Sequence, residues 1–171
     1  MMKNALTATL VLLSIFIFSL ATQAYSENIV ASLDDEKITV EILATYVEDV
    51  AGNNYKQWLN NQEGLRKLAD FYINRTLLLE YARKTVAKND TIVTNHNARS
   101  VDEDVMYLTT LLKIEVQDKV NVTDEEVSAY MKKNMASEKQ ARQEIESERK
   151  NQLMGALVEK VRIGHDVKYF N

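Results

Sequence analysis

A chain of 171 residues with no proline and only four glycines has few ways to turn sharply. Average usage would supply about 8 prolines and 12 glycines at this length. Helix interiors need neither residue, whereas tight turns depend heavily on both. The fold class this predicts is mainly α, with a small β element. Cysteine is absent too, which excludes disulfides, thiolate zinc sites, iron–sulfur clusters and cysteine nucleophiles. With 46% hydrophobic and 27% charged residues the chain has the composition of an ordinary globular domain. The formal charge is −4 and no long basic run occurs. That balance argues against nucleic acid or an anionic membrane surface as the main partner.

Residues 1–24 stand apart from the rest. Lys3 is their only charge, an apolar run extends from Ala5 to Ala21, and Thr22 and Ala24 give a small-x-small spacing. This layout predicts a signal peptide over residues 1–24, cleaved after Ala24, with Ala21 as second choice. The run is just at the lower limit for crossing a bilayer, so an uncleaved N-terminal membrane anchor is the competing reading. Cleavage would leave a single domain over residues 25–171, periplasmic or secreted and free of the membrane.

Within that domain, Ile29–Leu33 reads as a strand, Asp34-Asp35-Glu36-Lys37 as a polar turn, and Thr39 as the cap of a helix through Val40, Leu43, Val47 and Val50. Gly52-Asn53-Asn54 ends that helix, and Trp58 and Leu59 belong to a short one. A long helix is expected from Glu63 to Ala87, apolar on more than one side and therefore central. Lys88-Asn89-Asp90 closes it. A third helix is expected from Asn97 to Val120, with Asp102, Glu103 and Asp104 in its first turns. Thr123 with Glu126 and Ser137 with Gln140 are capping boxes, opening a short helix to Asn134 and a last helix over Glu138 to Arg162. The first half of the last helix has only Ala141 and Ile145 as apolar residues up to Gln152, so it is expected to lie in solvent. Gly164 ends it, and Val167–Phe170 reads as a terminal strand.

No constellation for chemistry emerges. His96 and His165 lack acidic neighbours at metal-ligand spacing, and the acidic clusters lack the spacing and glycine of a calcium loop. No Gly-rich phosphate loop or Gly-x-Ser-x-Gly elbow occurs. The expectation is no catalytic residue, no metal and no cofactor. Apolar surface is the remaining candidate. Tyr adds a flat face with a polar tip and Met adapts its shape to its partner. The residues singled out for client binding are Tyr46, Trp58, Tyr72, Tyr107, Tyr130, Met131 and Met135. A stripe of such residues at helical spacing also fits an ordinary core.

The order of these parts resembles a known family. Ile29 to Thr39 resembles the strand–turn–helix that opens SurA-like foldases and chaperones. Phe71 to Ala82 looks like that family's "L-I-D-R-x-L-L-L-x-x-A" helix, and Val122 to Tyr130 its "V-T-D-E-E-V-x-x-Y-Y" helix. Ala141 onward, ending in Val167-Lys168-Tyr169, resembles the return helix and closing strand. Two departures stand out. Asp34-Asp35 replaces the usual Asn-Gly turn, and only Met131 to Gln140 lies where a parvulin prolyl-isomerase domain would be inserted. The resemblance implies a SurA-like helical chaperone domain without the isomerase, its N- and C-terminal strands pairing to close one body. It also implies an exported, ATP-independent chaperone or assembly factor whose partners are unfolded or assembling exported proteins. The alternative is a structural or accessory subunit of an envelope or extracellular assembly. Monomer and homodimer both remain open at this level.

Overall fold

The computed structural model describes residues 28–86 and 102–170. The expected signal peptide, its cleavage at Ala24 or Ala21, His96, the closing turn at Lys88-Asn89-Asp90 and the expected helix start at Asn97 lie outside the described residues.

The fold is mainly helical with a three-stranded antiparallel sheet. Strand β1 (Ile29–Leu33) turns through Asp34-Asp35 into β2 (Glu36–Thr39), and β3 (Val167–Tyr169) pairs on the other side of β1. The register places Leu33 opposite Glu36 and opposite Val167, and Ala31 opposite Ile38 and Tyr169. Both ends of the domain therefore meet in one sheet, as the sequence predicts. A bulge between Ile29 and Ala31 bends β1 at its start. The polar turn is tighter than its four residues suggest, because Glu36 and Lys37 already belong to β2. Asp34 takes a left-handed backbone, φ 53°, which Asp tolerates better than most residues. It is held there by the two residues that lead into β3: its N–H donates to the Asp166 carbonyl at 2.7 Å, and its carboxylate accepts from the Asp166 N–H at 2.8 Å and contacts His165 Nδ1 at 2.8 Å.

Helix α1 (Val40–Tyr46) begins at Thr39, whose hydroxyl accepts from the Ile42 N–H. It does not run on as an α-helix to Val50. Val47–Ala51 widens into a π turn, ended by Gly52 at φ 95°. A 3-10 segment, Asn53–Asn60, carries Tyr55 and Trp58. Helix α2 (Gln62–Thr85) is the central one, capped by Asn61 through a 2.8 Å bond from the Gly64 N–H. Helix α3 (Glu103–Glu115) stops earlier than its apolar stripe suggests. Asp102 is its cap rather than part of its first turn, accepting from the Asp104 N–H, and Gln117–Lys119 is a 3-10 turn. Helix α4 (Asp124–Asn134) and helix α5 (Glu138–Arg162) open with the two expected capping boxes.

One apolar cluster joins these elements. Leu43 and Val47, the α2 residues Leu68, Ala69, Ile73 and Leu77, Leu111 from α3, and Leu157 and Val161 from the end of α5 all bury against Ala31, Leu33 and Ile38 of the sheet. A polar knot closes the same body at its edge. Asp70 of α2 accepts from the Tyr169 hydroxyl and lies 3.3 Å from Arg162 Nη1. Arg162 also donates to Asn74 at 2.9 Å and to the Tyr169 hydroxyl at 3.0 Å. These bonds tie α2, α5 and β3 together.

The first half of α5 does not lie wholly in solvent. Its inner face meets α4, with Ala141 and Val127 fully or nearly buried and Ile145 half-buried. The sparse apolar residues on this half serve a two-helix hairpin, where only one narrow face needs covering.

Candidate functional site

The surface of greatest interest lies where α1, the 3-10 segment and α2 meet. Gly64 creates it. A Cβ at this position would stand 2.3 Å from the Trp58 carbonyl oxygen and 2.6 Å from its Cα. Only glycine lets the 3-10 segment press directly on α2. Phe71 follows Gly64 by seven residues, two helical turns along the same face. Trp58 therefore lands beside Phe71, ring centroids 5.7 Å apart. Tyr55, three residues before Trp58, meets both rings edge-on, at 5.1 Å to Trp58 and 5.9 Å to Phe71. Tyr46 and Tyr72 make a second edge-to-face pair at 5.5 Å. Such pairs each add about 0.5–1.5 kcal/mol beyond the area they bury, so the rings form a stiff surface rather than a loose one.

This aromatic surface is open. Phe71 is 41% exposed and Val50, at the π turn, 48%. Tyr46, Tyr55, Trp58 and Tyr72 are half-buried. Between α1 and α2 runs a groove of about 420 Å³, with Ile42, Val50, Tyr46 and Tyr72 as apolar walls and Glu41, Asp49 and Arg75 at its rim. Burial pushes the Tyr46 phenol up, the facing Tyr55 adds to this, and Arg75 partly offsets it. Arg75 lies 3.7 Å from Asp104 of α3, a carboxylate that Arg83 holds at 2.6 Å, so its charge still faces the groove. The Asp49 carboxylate makes no ion pair with a described residue, and Glu41, held below the usual carboxylate range by the Thr39 hydroxyl and its own backbone N–H, makes none either. Two carboxylates against one guanidinium leave the rim net acidic.

Of the seven residues expected to bind clients, the structure brings Tyr46, Trp58 and Tyr72 to this one face. It separates the others. Tyr107 is 8% exposed and belongs to the core between α3 and α2, since its position on α3 falls on the inward stripe with Leu111. Such a side chain offers no surface to a client. Tyr130 and Met131 are half-buried on α4. Tyr130 lines a second, more charged cleft of about 400 Å³ with Ile145, Lys133, Glu148 and Arg149. Met135 is 97% exposed in a left-handed turn between α4 and α5. Tyr55, Phe71 and Val50 were missed from sequence. The spacing of Tyr55 to Trp58 and of Gly64 to Phe71 carried the signal, but only once the 3-10 segment is known to lie on α2.

His165, the described histidine, is spent on Asp34 at the sheet turn. No group of three or more His, Asp or Glu side chains that could hold a metal occurs among the described residues. No described helix is long and apolar enough to cross a membrane. Compared with family models, curated proteins and solved structures, the chain matches none.

Proposed function

We propose that this protein is an exported, ATP-independent chaperone or assembly factor without isomerase activity, which binds unfolded or partly folded exported proteins through apolar surface. The observation that carries the reading is the open aromatic face of Tyr46, Tyr55, Trp58, Phe71 and Tyr72 beside the α1–α2 groove. Rings locked edge-to-face lose little freedom when a client covers them, so burial of client side chains is opposed by less entropy. No bond is made or broken. Affinity per contact is modest because a disordered client loses freedom on binding.

Three further points support the reading. The N- and C-terminal strands pair around a helical body, as the SurA-like resemblance implies. The joint where that family carries its isomerase is a short turn at the tip of the α4–α5 hairpin, through Met135 and Ser137. The N-terminal layout of Lys3, apolar run and Ala24 directs the chain out of the cytoplasm under this proposal, to the periplasm or beyond.

The test is suppression of aggregation when a urea-denatured outer-membrane protein is diluted into buffer. The protein at several-fold molar excess is expected to hold the client in solution, and Phe71→Glu to weaken that effect while the far-UV circular dichroism stays unchanged. Absence of any effect from the wild-type protein overturns the reading. A stable stoichiometric complex with one partner on purification, in place of client holding, would favour an accessory subunit instead.

A further inference from the structure

We infer that the α1–α2 groove selects extended client segments in which a lysine or arginine is flanked by apolar residues. The inference rests on the chaperone reading above and gives its client class a specific chemistry.

The groove has two unlike parts. Its walls are Ile42, Val50, Tyr46 and Tyr72, and its rim carries Glu41 and Asp49. Lysine and arginine have the same division, an apolar stem with a charged head, and they bury the stem while keeping the head in water. The stem fits the walls. The head reaches the two rim carboxylates, and the Tyr46 and Tyr72 rings add attraction to a cation near their faces. The one basic residue at the rim, Arg75, offsets one of the two carboxylates and leaves the groove with a net negative charge. An acidic client side chain would meet Glu41 and Asp49 with neither carboxylate neutralised by an ion pair. The apolar residues flanking the client cation would lie on exposed Val50 and on the aromatic surface beyond it.

The test compares two short fluorescein-labelled peptides, Gly-Ser-Leu-Lys-Leu-Ser-Gly and its counterpart with Glu in place of Lys, by fluorescence anisotropy with the purified protein. Two partly exposed ion contacts predict about fivefold to tenfold tighter binding of the lysine peptide. That preference should shrink as ionic strength rises from about 0.05 M to 0.5 M, because exposed charge contacts are screened. Glu41→Gln/Asp49→Asn is expected to bring the two peptides within about twofold of each other, while Glu159→Gln, an exposed acid on α5 outside the groove, leaves the preference intact. Because Glu41 also accepts from Thr39 at the helix start, Asp49→Asn alone serves as the second variant, with an expected loss of about twofold to threefold. Equal binding of the two peptides, no binding of either, or a preference that survives in both groove variants overturns the inference. If the protein still suppresses client aggregation in any of those cases, the chaperone reading stands without this selectivity.

Discussion

The sheet-and-helix body and the α4–α5 hairpin use opposite means to stay folded. The body gathers side chains from β1, β2, α1, α2, α3 and the end of α5 into one apolar cluster. Within the hairpin, α4 and the first half of α5 bury little beyond Val127 and Ala141, and neither belongs to that cluster. Its order comes from two capping boxes and from charge pairs: Arg149 with Glu126 at 2.6 Å and Arg142 with Asp124 at 2.5 Å. Exposed pairs of this kind are screened by water and salt and hold less than one buried aliphatic side chain. The aromatic groove sits on the body, so its walls are backed by that apolar cluster.

The largest effect should separate them directly. Ile73 is fully buried at the centre of α2, and Ile73→Ala is expected to cost about 2–5 kcal/mol in global stability. Val127→Ala removes two methyl-sized groups from a smaller interface, worth roughly 1–2 kcal/mol. Urea unfolding followed by Trp58 fluorescence reports on the body, and far-UV circular dichroism on all helices. For Val127→Ala the dichroism transition should fall ahead of the fluorescence transition. Coincident transitions, with equal losses for the two variants, would mean that the hairpin is part of one cooperative core.

Legibility from sequence divides along the same line. The hairpin's ends were readable because caps are local: Thr123 with Glu126 and Ser137 with Gln140 carry their own geometry within four residues. The pairing of the two terminal strands was legible through the order of parts. The middle of the body was not. Whether Tyr107 faces a client or the core depends on which side of α3 meets α2, and helical spacing alone does not fix that. The π turn at Val47–Ala51 and the closeness of Trp58 to Gly64 arise from tertiary packing, so no local pattern announced the groove between them. Its walls come from residues as far apart as Ile42 and Tyr72. Tyr46, Trp58 and Tyr72 share one face of the body, and Phe71 joins them from the central helix α2, where nothing local distinguishes an outward aromatic from a core one.

A smaller effect sharpens the contrast among polar contacts. Asp70 joins three elements of the body through Tyr169 and Arg162, at 38% side-chain exposure. Asp70→Ala takes the acceptor from the Tyr169 hydroxyl and the carboxylate from beside the half-buried guanidinium, which keeps Asn74 and Tyr169, and is expected to cost about 1–2 kcal/mol. Asp124, 84% exposed in the hairpin, also bonds an arginine, yet Asp124→Ala should cost below roughly 0.5 kcal/mol. Thermal unfolding of both variants measures the difference. Equal losses would show that burial does not set the worth of these carboxylates.

The smallest effect is one of pH, and it bears on the hairpin most. The backbone N–H of Thr123, and then the Arg149 guanidinium, hold the Glu126 carboxyl below its usual range. Its folded-state value is thus lower than its unfolded one. The stabilisation it gives is complete above the ordinary carboxylate value and is lost as pH falls through the lowered folded value. In the body, His165 and the Asp166 N–H lower Asp34 in the same direction, but there the apolar cluster remains when the charge is gone. Hydrogen exchange, corrected for intrinsic rates, should therefore show α4 losing protection between about pH 5 and pH 3 while α2 keeps its own. Glu126→Gln should start with weaker protection in α4 and show little further change over that interval. Protection lost in step by α4 and α2 would place both regions under the same carboxylates and remove the distinction between a body held by burial and a hairpin held by charge.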